Sequence, residues 1–360
     1  MSVVVLNKIP SPTWSWCRMN KTELVCDEQI LSALENVLPD VRGEAEGLEY
    51  TENGSILWEK LPELTGGIGD DADSLFEEAV PCGISVLAGK KIEKPVVLDY
   101  NFAQGMNVSA CQVIHAQEGA EVTVVIVNSS DKDACGLEAL KTEIYAEAFS
   151  KIHVIKVQLL GDDFIQIDET ASYAAENASV NVTHVVLGGA KTYVGVGSSL
   201  KEYKASFRSD LAYMCKDKQE LDLNYIVLQY GKKTDCKMYV NGTLRDEAKK
   251  TYRGTIDFKN GCAGSTGEEQ EEVLLLSPEA VNNSIPVILC DEEDVAGEHG
   301  ASIGRLSDEQ LFYMESRGIC QEAAENIIAR AKIQRVVSII DDEKVVEQTE
   351  SFMNGLFGEE

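Results

Sequence analysis

The sequence predicts a mainly β protein whose middle is a stack of short coils, a β-helix or solenoid, set between two acidic ends. Three observations predict it. Apolar residues alternate with a period of two from about residue 84 to 260, no helix of convincing length interrupts that stretch, and the charge divides into three parts. The 61 acidic and 32 basic residues leave a formal net charge of −29. Residues 1–80 hold 16 acids and 5 bases, residues 81–260 hold 23 and 21, and residues 261–360 hold 22 and 6. A nearly neutral middle at −2 thus lies between ends at −11 and −16. A chain of 360 residues can bury about three-quarters of its unfolded surface without cross-links. At 44% hydrophobic it is too apolar for a disordered acidic tail, and its charge argues against nucleic-acid binding, which needs a basic footprint.

The elements follow in order. Asp27 to Leu38 supports a short amphipathic helix with Ile30, Leu31, Leu34 and Leu38 at helical spacing, stopped by Pro39. Gly66-Gly-Ile-Gly-Asp-Asp71 is a flexible acidic loop, without the strand and helix that would make it a phosphate loop. Then come β-type runs such as Val122–Val127, Ile152–Leu159 and Leu221–Leu228, with shorter strands at Phe164–Ile167, Phe207–Leu211, Lys237–Val240 and Thr255–Phe258. Glu118–Val127 and Glu176–Leu187 share a cadence of turn-like start, alternation and apolar close, with a looser copy from Lys218. Such recurrence favours stacked coils. A β-sandwich remains the alternative, because the repeat is too degenerate for periodicity to decide. After about 305 the period returns to 3.6. Ser307 and Gln310 fit a capping box, a helix runs through Leu311–Arg317 to Gly318, and a second spans Gln321 to about Ile340. This second helix sets Ala324, Ile327, Ile328, Ala331 and Val336 broadly on one face. A third starts near Asp341-Asp342 and includes Val345, Val346 and Phe352.

The N-terminus lacks the basic region and cleavage pattern of a signal peptide, and no apolar run approaches the ~20 residues that span a bilayer. Ten cysteines without a CxxC pair read as reduced thiols. The expected location is cytoplasmic. No P-loop, HExxH or GxSxG motif occurs, and Gly195-Val-Gly197 lacks a third glycine. Of four histidines, His115, His153 and His184 lie in β-type runs as core or surface residues. Nothing supplies a catalytic constellation, so no enzyme activity is expected.

One block adds a resemblance. Ser284–Leu306, containing Asp291-Glu-Glu-Asp-Val-Ala-Gly-Glu-His299-Gly-Ala-Ser, together with Asp308–Gly318, closely resembles the C-terminal signature of the SufB/SufD family of iron–sulfur cluster assembly proteins. Tyr252-Arg-Gly-Thr-Ile-Asp-Phe258 and Glu272–Ala280 look like that family's last β coils, and Ile9-Pro-Ser-Pro-Thr-Trp14 resembles the start of SufD-type members. The resemblance implies a right-handed parallel β-helix core over 84–303, with an N-terminal cap over 1–83 and a C-terminal helical region over 304–360. It implies a SufD-like subunit that pairs with a SufB-like scaffold and binds a SufC-like ABC-type ATPase through the C-terminal helices. Nucleotide would then belong to another chain. No cofactor is expected in the isolated chain, and an iron–sulfur cluster would be held only transiently in the complex. Where a SufB-like chain would carry a Cys-Gly-Ala-His-Thr type segment, this one reads Gly297-Glu-His299-Gly-Ala-Ser, the SufD version. Some members place a cysteine two residues before the histidine, where this chain has Gly297.

Within that frame His299 is the leading site residue, an imidazole in a glycine-containing segment (Gly297 and Gly300) and a ready iron ligand. In the family the matching histidine sits at the SufB–SufD interface. Cys290 is a second candidate, although its place at the end of an apolar strand reads better as a buried thiol. Asp291–Asp294 reads as a solvated acidic turn, and Cys262 as an exposed-loop thiol. The expected partner surface is Leu311, Phe312, Tyr313, Arg317, Ile327 and Ile328. Two other functions compete: a self-sufficient homodimeric iron–sulfur scaffold, which would need converging cysteines, and a β-solenoid enzyme acting on polysaccharide, which the missing secretion signal disfavours.

Overall fold

The computed structural model describes residues 1–11, 13–54, 61–62 and 64–358. Pro12 of the N-terminal Pro-Thr-Trp segment lies outside them. The chain opens with an antiparallel pair, β1 (Ser2–Leu6) and β2 (Thr22–Cys26), bridged through a 3-10 turn at Ser15–Cys17. Helix α1 is only Glu28–Leu31, capped by Asp27, whose carboxylate accepts from the Gln29 amide at 3.0 Å. The longer helix expected to Leu38 does not form. The chain is drawn instead onto the first turns of the core as β3 (Glu35–Asn36), β4 (Asp40–Arg42) and β5 (Leu48–Thr51). So short a helix is marginal on its own, and sheet hydrogen bonds outcompete it.

Eight coils of two strands each follow: β6 (Pro81–Val86) with β7 (Val96–Phe102), β8 (Asn107–Ala116) with β9 (Glu121–Ser130), β10 (Cys135–Ala146) with β11 (Lys151–Leu159), and β12 (Asp163–Ala174) with β13 (Ser179–Val186). The series continues with β14 (Lys191–Leu200) and β15 (Ser206–Cys215), β16 (Glu220–Gln229) and β17 (Asp235–Leu244), β18 (Lys249–Phe258) and β19 (Ser265–Leu275), and ends with β20 (Val281–Cys290) and β21 (Val295–Gly304). Even-numbered strands stack in parallel as one sheet and odd-numbered strands as another. The result is a right-handed parallel β-solenoid. Cys135 lies opposite Asp163 and Lys151 opposite Ser179, so one coil takes 28 residues at that point.

Three apolar layers explain why runs such as Val122–Val127 are hydrophobic almost without interruption: strands covered on both faces need no polar side. Between the sheets lie Leu98, Val124, Val154, Val194, Leu223 and Ile256. Outside the even sheet, Val4, Leu6 and Leu24 of the hairpin cover Leu137, Ile167 and Tyr193. Outside the odd sheet, the C-terminal helices cover Val125, Val127, Ile155 and Val185. The stretch at Gly66–Asp71 is not the free loop expected. Gly67 and Ile68 are buried against β14, where a Cβ at Gly67 would strike the Val196 amide and one at Gly195 would strike Ile68. Gly195 and Gly67 thus permit a backbone crossing.

Helix α2 (Asp308–Ser316) begins with the Ser307–Gln310 capping box and is followed by Gly318 at φ +85°. Helix α3 (Gln321–Val337) and helix α4 (Glu343–Phe357, capped by Asp342) lie on the odd sheet. The buried side of α3 is Ala324, Ala329, Ile333, Val336 and Val337, so Ile327 and Ala331 from the expected stripe face outward. The sequence offers two apolar stripes, and the sheet takes the one that continues through Ile340 into Val345 and Met353 of α4. No helix among the described residues is long and apolar enough to cross a membrane.

Candidate functional site

The last coil is where the stack stops. Strand β21 pairs with β19 on one side only, and every residue in it except Val295, which is half-buried, is exposed. Among the described residues no strand pairs with its free edge, and its inward row is exposed beyond Val295, whereas in every earlier coil a further rung stacks on top. His299 sits in the middle of this strand, in register with Glu269 of β19. In β19 the odd positions 265, 267, 269, 271 and 273 are buried and face the interior. His299 therefore stands on the inward row of an open rung, between Glu298 and Gly300. Cys290 ends β20 above the buried Phe258, and its thiol donates to the Glu292 carbonyl at 3.0 Å.

The two cysteine expectations are reversed. Cys290 is exposed and Cys262 is buried. Cys290 is inward-facing, but no further coil stacks on it. Cys262 is drawn into the core at a turn held by the amide bond from Ser265 to the Cys262 carbonyl, at 3.1 Å. The acidic turn Asp291–Asp294 is mostly exposed as expected, with Glu292 accepting from the Gly261 amide at 3.0 Å.

Beneath His299 the rung is polar. Lys250 and Glu271 form a fully buried ion pair. Glu269 fills the space left opposite by Gly254 and is buried without a hydrogen bond to its carboxyl among the described residues. Burial, reinforced by neighbouring Glu271, pushes the Glu269 carboxyl up to about 8 against the opposing pull of Lys250. Deeper in the solenoid Lys156 pairs with Asp168 and donates to Thr170 at 2.8 Å, while the Tyr225 hydroxyl meets His184 Nδ1 at 2.9 Å. Burial depresses the His184 pKa. His115 meets Glu147 at 2.8 Å and His153 meets Thr183 at 2.9 Å, so these three histidines have partners within the fold. The charges at 269 and 271 escape a linear reading because Glu268-Glu-Gln-Glu-Glu272 looks like a solvated run. The usable signal was the period of two from the flanking strand, which turns alternate members inward.

The helical candidates lie apart from the last coil's interior row. No residue of α2 is buried; Leu311 is half-buried, Phe312 is 72% exposed and Tyr313 57% exposed. The Arg317 guanidinium lies 5.2 Å over the Tyr313 ring. In α3, Ile327 is 49% exposed and Ile328 half-buried. The structure therefore sets Phe312, Tyr313 and Ile327 out of its own core. His299 and Cys290 share the last coil, but no group of three or more His, Cys, Asp or Glu side chains suited to a metal ion occurs among the described residues.

Residues 101–332 match the family model described as SUF system FeS cluster assembly, SufBD core domain. The chain belongs to the SufB/SufD family. Among relatives, it is 32% identical over 122 residues to the iron–sulfur cluster assembly protein SufD of Bacillus subtilis, covering 34% of this chain and 28% of that protein. It is 25% identical over 272 residues to SufD of Escherichia coli, covering 74% and 64%. It is also 22% identical over 326 residues to SufB of Bacillus subtilis, covering 84% and 68%. The chain thus spans less than two thirds of the length of the SufD proteins it matches. The matched core runs from the end of β7 through most of α3 and includes His299 and Cys290.

Proposed function

We propose that this chain is a SufD-like, non-catalytic subunit that pairs with a SufB-like scaffold through its open last coil and binds a SufC-like ABC-type ATPase through α2 and the outward side of α3. The uncovered β21 carries this reading. An edge strand with unpaired backbone groups is a template for another chain, and here it presents His299 at its centre. The cluster is cargo, built transiently where the two chains meet, with His299 as this chain's principal ligand and Cys290 beside it. Residues 1–83 and 304–360 act as accessory regions around the 84–303 core, the latter supplying the ATPase-facing surface of Leu311, Phe312, Tyr313, Arg317, Ile327 and Ile328. The Gly297-Glu-His299-Gly segment supports a SufD-type rather than SufB-type role, and a cytoplasmic location accords with it.

The test is anaerobic cluster assembly on the reconstituted three-component complex. His299→Ala lowers cluster yield by about tenfold or more, in line with the loss of a metal ligand's support, while the complex still assembles. Unchanged yield overturns the role of His299. A second reading, a homodimeric scaffold acting alone, draws on the exposed Cys290 beside His299 and the long match to SufB. It predicts visible absorption after anaerobic reconstitution of the isolated chain, which the SufD-like reading predicts to stay colourless.

A further inference from the structure

One corner of the solenoid runs against the charge of the rest. The turns that follow the even strands of the fifth, sixth and seventh coils carry Lys201 and Lys204, Lys232 and Lys233, and Lys259. Lys259 is paired with Asp257 at 2.6 Å. The other four are exposed and form no ion pair among the described residues, although Glu292 of the next turn feels Lys232. Four ammonium groups on two stacked turns, against the single carboxylate of Glu202 within those turns, are unexpected in a chain of net charge −29.

The backbone makes two of these lysines more telling. At this corner each turn places one residue in the left-handed region, and its amide donates to a carbonyl of the next turn. Gly89, Gly119, Phe149, Asn177, Lys204, Lys233 and Gly264 hold this position, with amide bonds such as Lys204 to the Lys232 carbonyl at 3.0 Å and Lys233 to the Ala263 carbonyl at 3.1 Å. Glycine and asparagine suit that conformation, and lysine gains nothing from it. Lysine at 204 and 233 is therefore not set by the needs of the turn. Aromatic rings orient the ammonium groups. Lys201 lies 3.5 Å over Tyr230, while Lys204 and Lys233 lie 5.3 and 6.0 Å from the centre of Tyr203.

We propose that this lysine corner, Lys201, Lys204, Lys232 and Lys233 on Tyr203 and Tyr230, is a docking surface for an acidic segment of a partner protein. Charge complementarity selects the partner. Interleaved lysines and aromatics also occur where single-stranded nucleic acid binds, but there the ring faces must be free to stack on bases. Here the ammonium groups occupy them, and the remaining surface repels a polyanion of nucleic-acid length. Exposed Phe149, at the same turn position two coils earlier, gives the corner an apolar margin.

The experiment measures binding of a fluorescein-labelled decaglutamate peptide and a labelled ten-residue oligothymidylate to the full chain by anisotropy at low salt. The parent chain binds decaglutamate, and the affinity falls as salt is raised. Lys204→Gly with Lys233→Gly weakens it about tenfold without lowering the thermal midpoint, because each turn receives the residue its backbone favours. Lys201→Glu with Lys232→Glu abolishes it. Absence of decaglutamate binding by the parent chain, equal binding by these variants, or tighter binding of oligothymidylate would each overturn the proposal.

Discussion

Buried carboxyls are the residues with the clearest measurable signature. Glu138 is fully buried, and only one of its oxygens has a donor, the Gln166 amide at 3.0 Å. Burial, with Asp168 nearby, pushes its carboxyl up to about 8 despite Lys156. A folded-state pKa above the unfolded one means that the folded chain holds the extra proton. The stabilisation is complete below the unfolded value near 4.5 and is lost as pH rises through about 8. Glu269 acts in the same direction and over the same window. Glu138→Gln keeps an acceptor for Gln166 and removes the titration. Denaturant unfolding at pH 5 and pH 8 is expected to show the parent losing stability over that interval, and the variant losing less by on the order of 2 kcal/mol. These residues were the least legible in sequence. Glu138 sits in Leu137-Glu-Ala-Leu140 as an isolated acid, and only the stacking of β10 on β12 turns it inward beside Asp168. The small residues around His299 signalled an unshielded imidazole, and it is exposed in β21. The environment of Cys290 was not legible, since local apolarity cannot reveal that no further coil stacks on it.

At the scale of elements, α2 and α3 divide into side chains that hold the fold and side chains that face outward. Ile333 is buried among Val157, Val185 and Met214 in the layer on the odd sheet. Ile333→Ala should cost roughly 2–5 kcal/mol of stability, read as a shifted denaturant midpoint. Phe312→Ala, at a mostly exposed position, should change stability by less than about 0.5 kcal/mol yet weaken pull-down of the proposed SufC-like ATPase. Loss of folding in Phe312→Ala would instead make that ring a structural contact. The helices themselves were legible: the capping box at Ser307, the stop at Gly318 and the start near Asp342 all lie close to where sequence chemistry put them. The buried face of α3 was not, because helical periodicity alone ranks Ile327 with Ile333. The choice belongs to the sheet against which the helix lies. The strands were legible as β but too short in places, as at Phe164–Ile167 within Asp163–Ala174. Polar inward residues such as Gln166 and Asp168 interrupt the alternation there, and they are tolerated because partners inside the coil satisfy them.

Over the whole molecule, the solenoid is closed where accessory segments cover it and open at one rung. The hairpin and the C-terminal helices coat its two outer faces, while among the described residues no further rung stacks on β21, whose inner row is exposed beyond Val295. Charge follows the same division. The C-terminal hundred residues carry a net −16, so association of the helical region with a basic partner surface should weaken as salt rises from about 50 to 500 mM, as the Debye length shortens. The stacked-coil reading needed only period-two alternation and the absence of helices. The choice between solenoid and sandwich needed the resemblance, because register between coils is a long-range property that a degenerate repeat does not encode.

Co-expression of the tagged chain with the SufB-like and SufC-like proteins of the same organism, followed by light-scattering mass measurement of the purified material, decides whether this chain is a SufD-like subunit. One complex containing all three chains is expected. Recovery of the tagged chain by itself, with the other two associating without it, would contradict it.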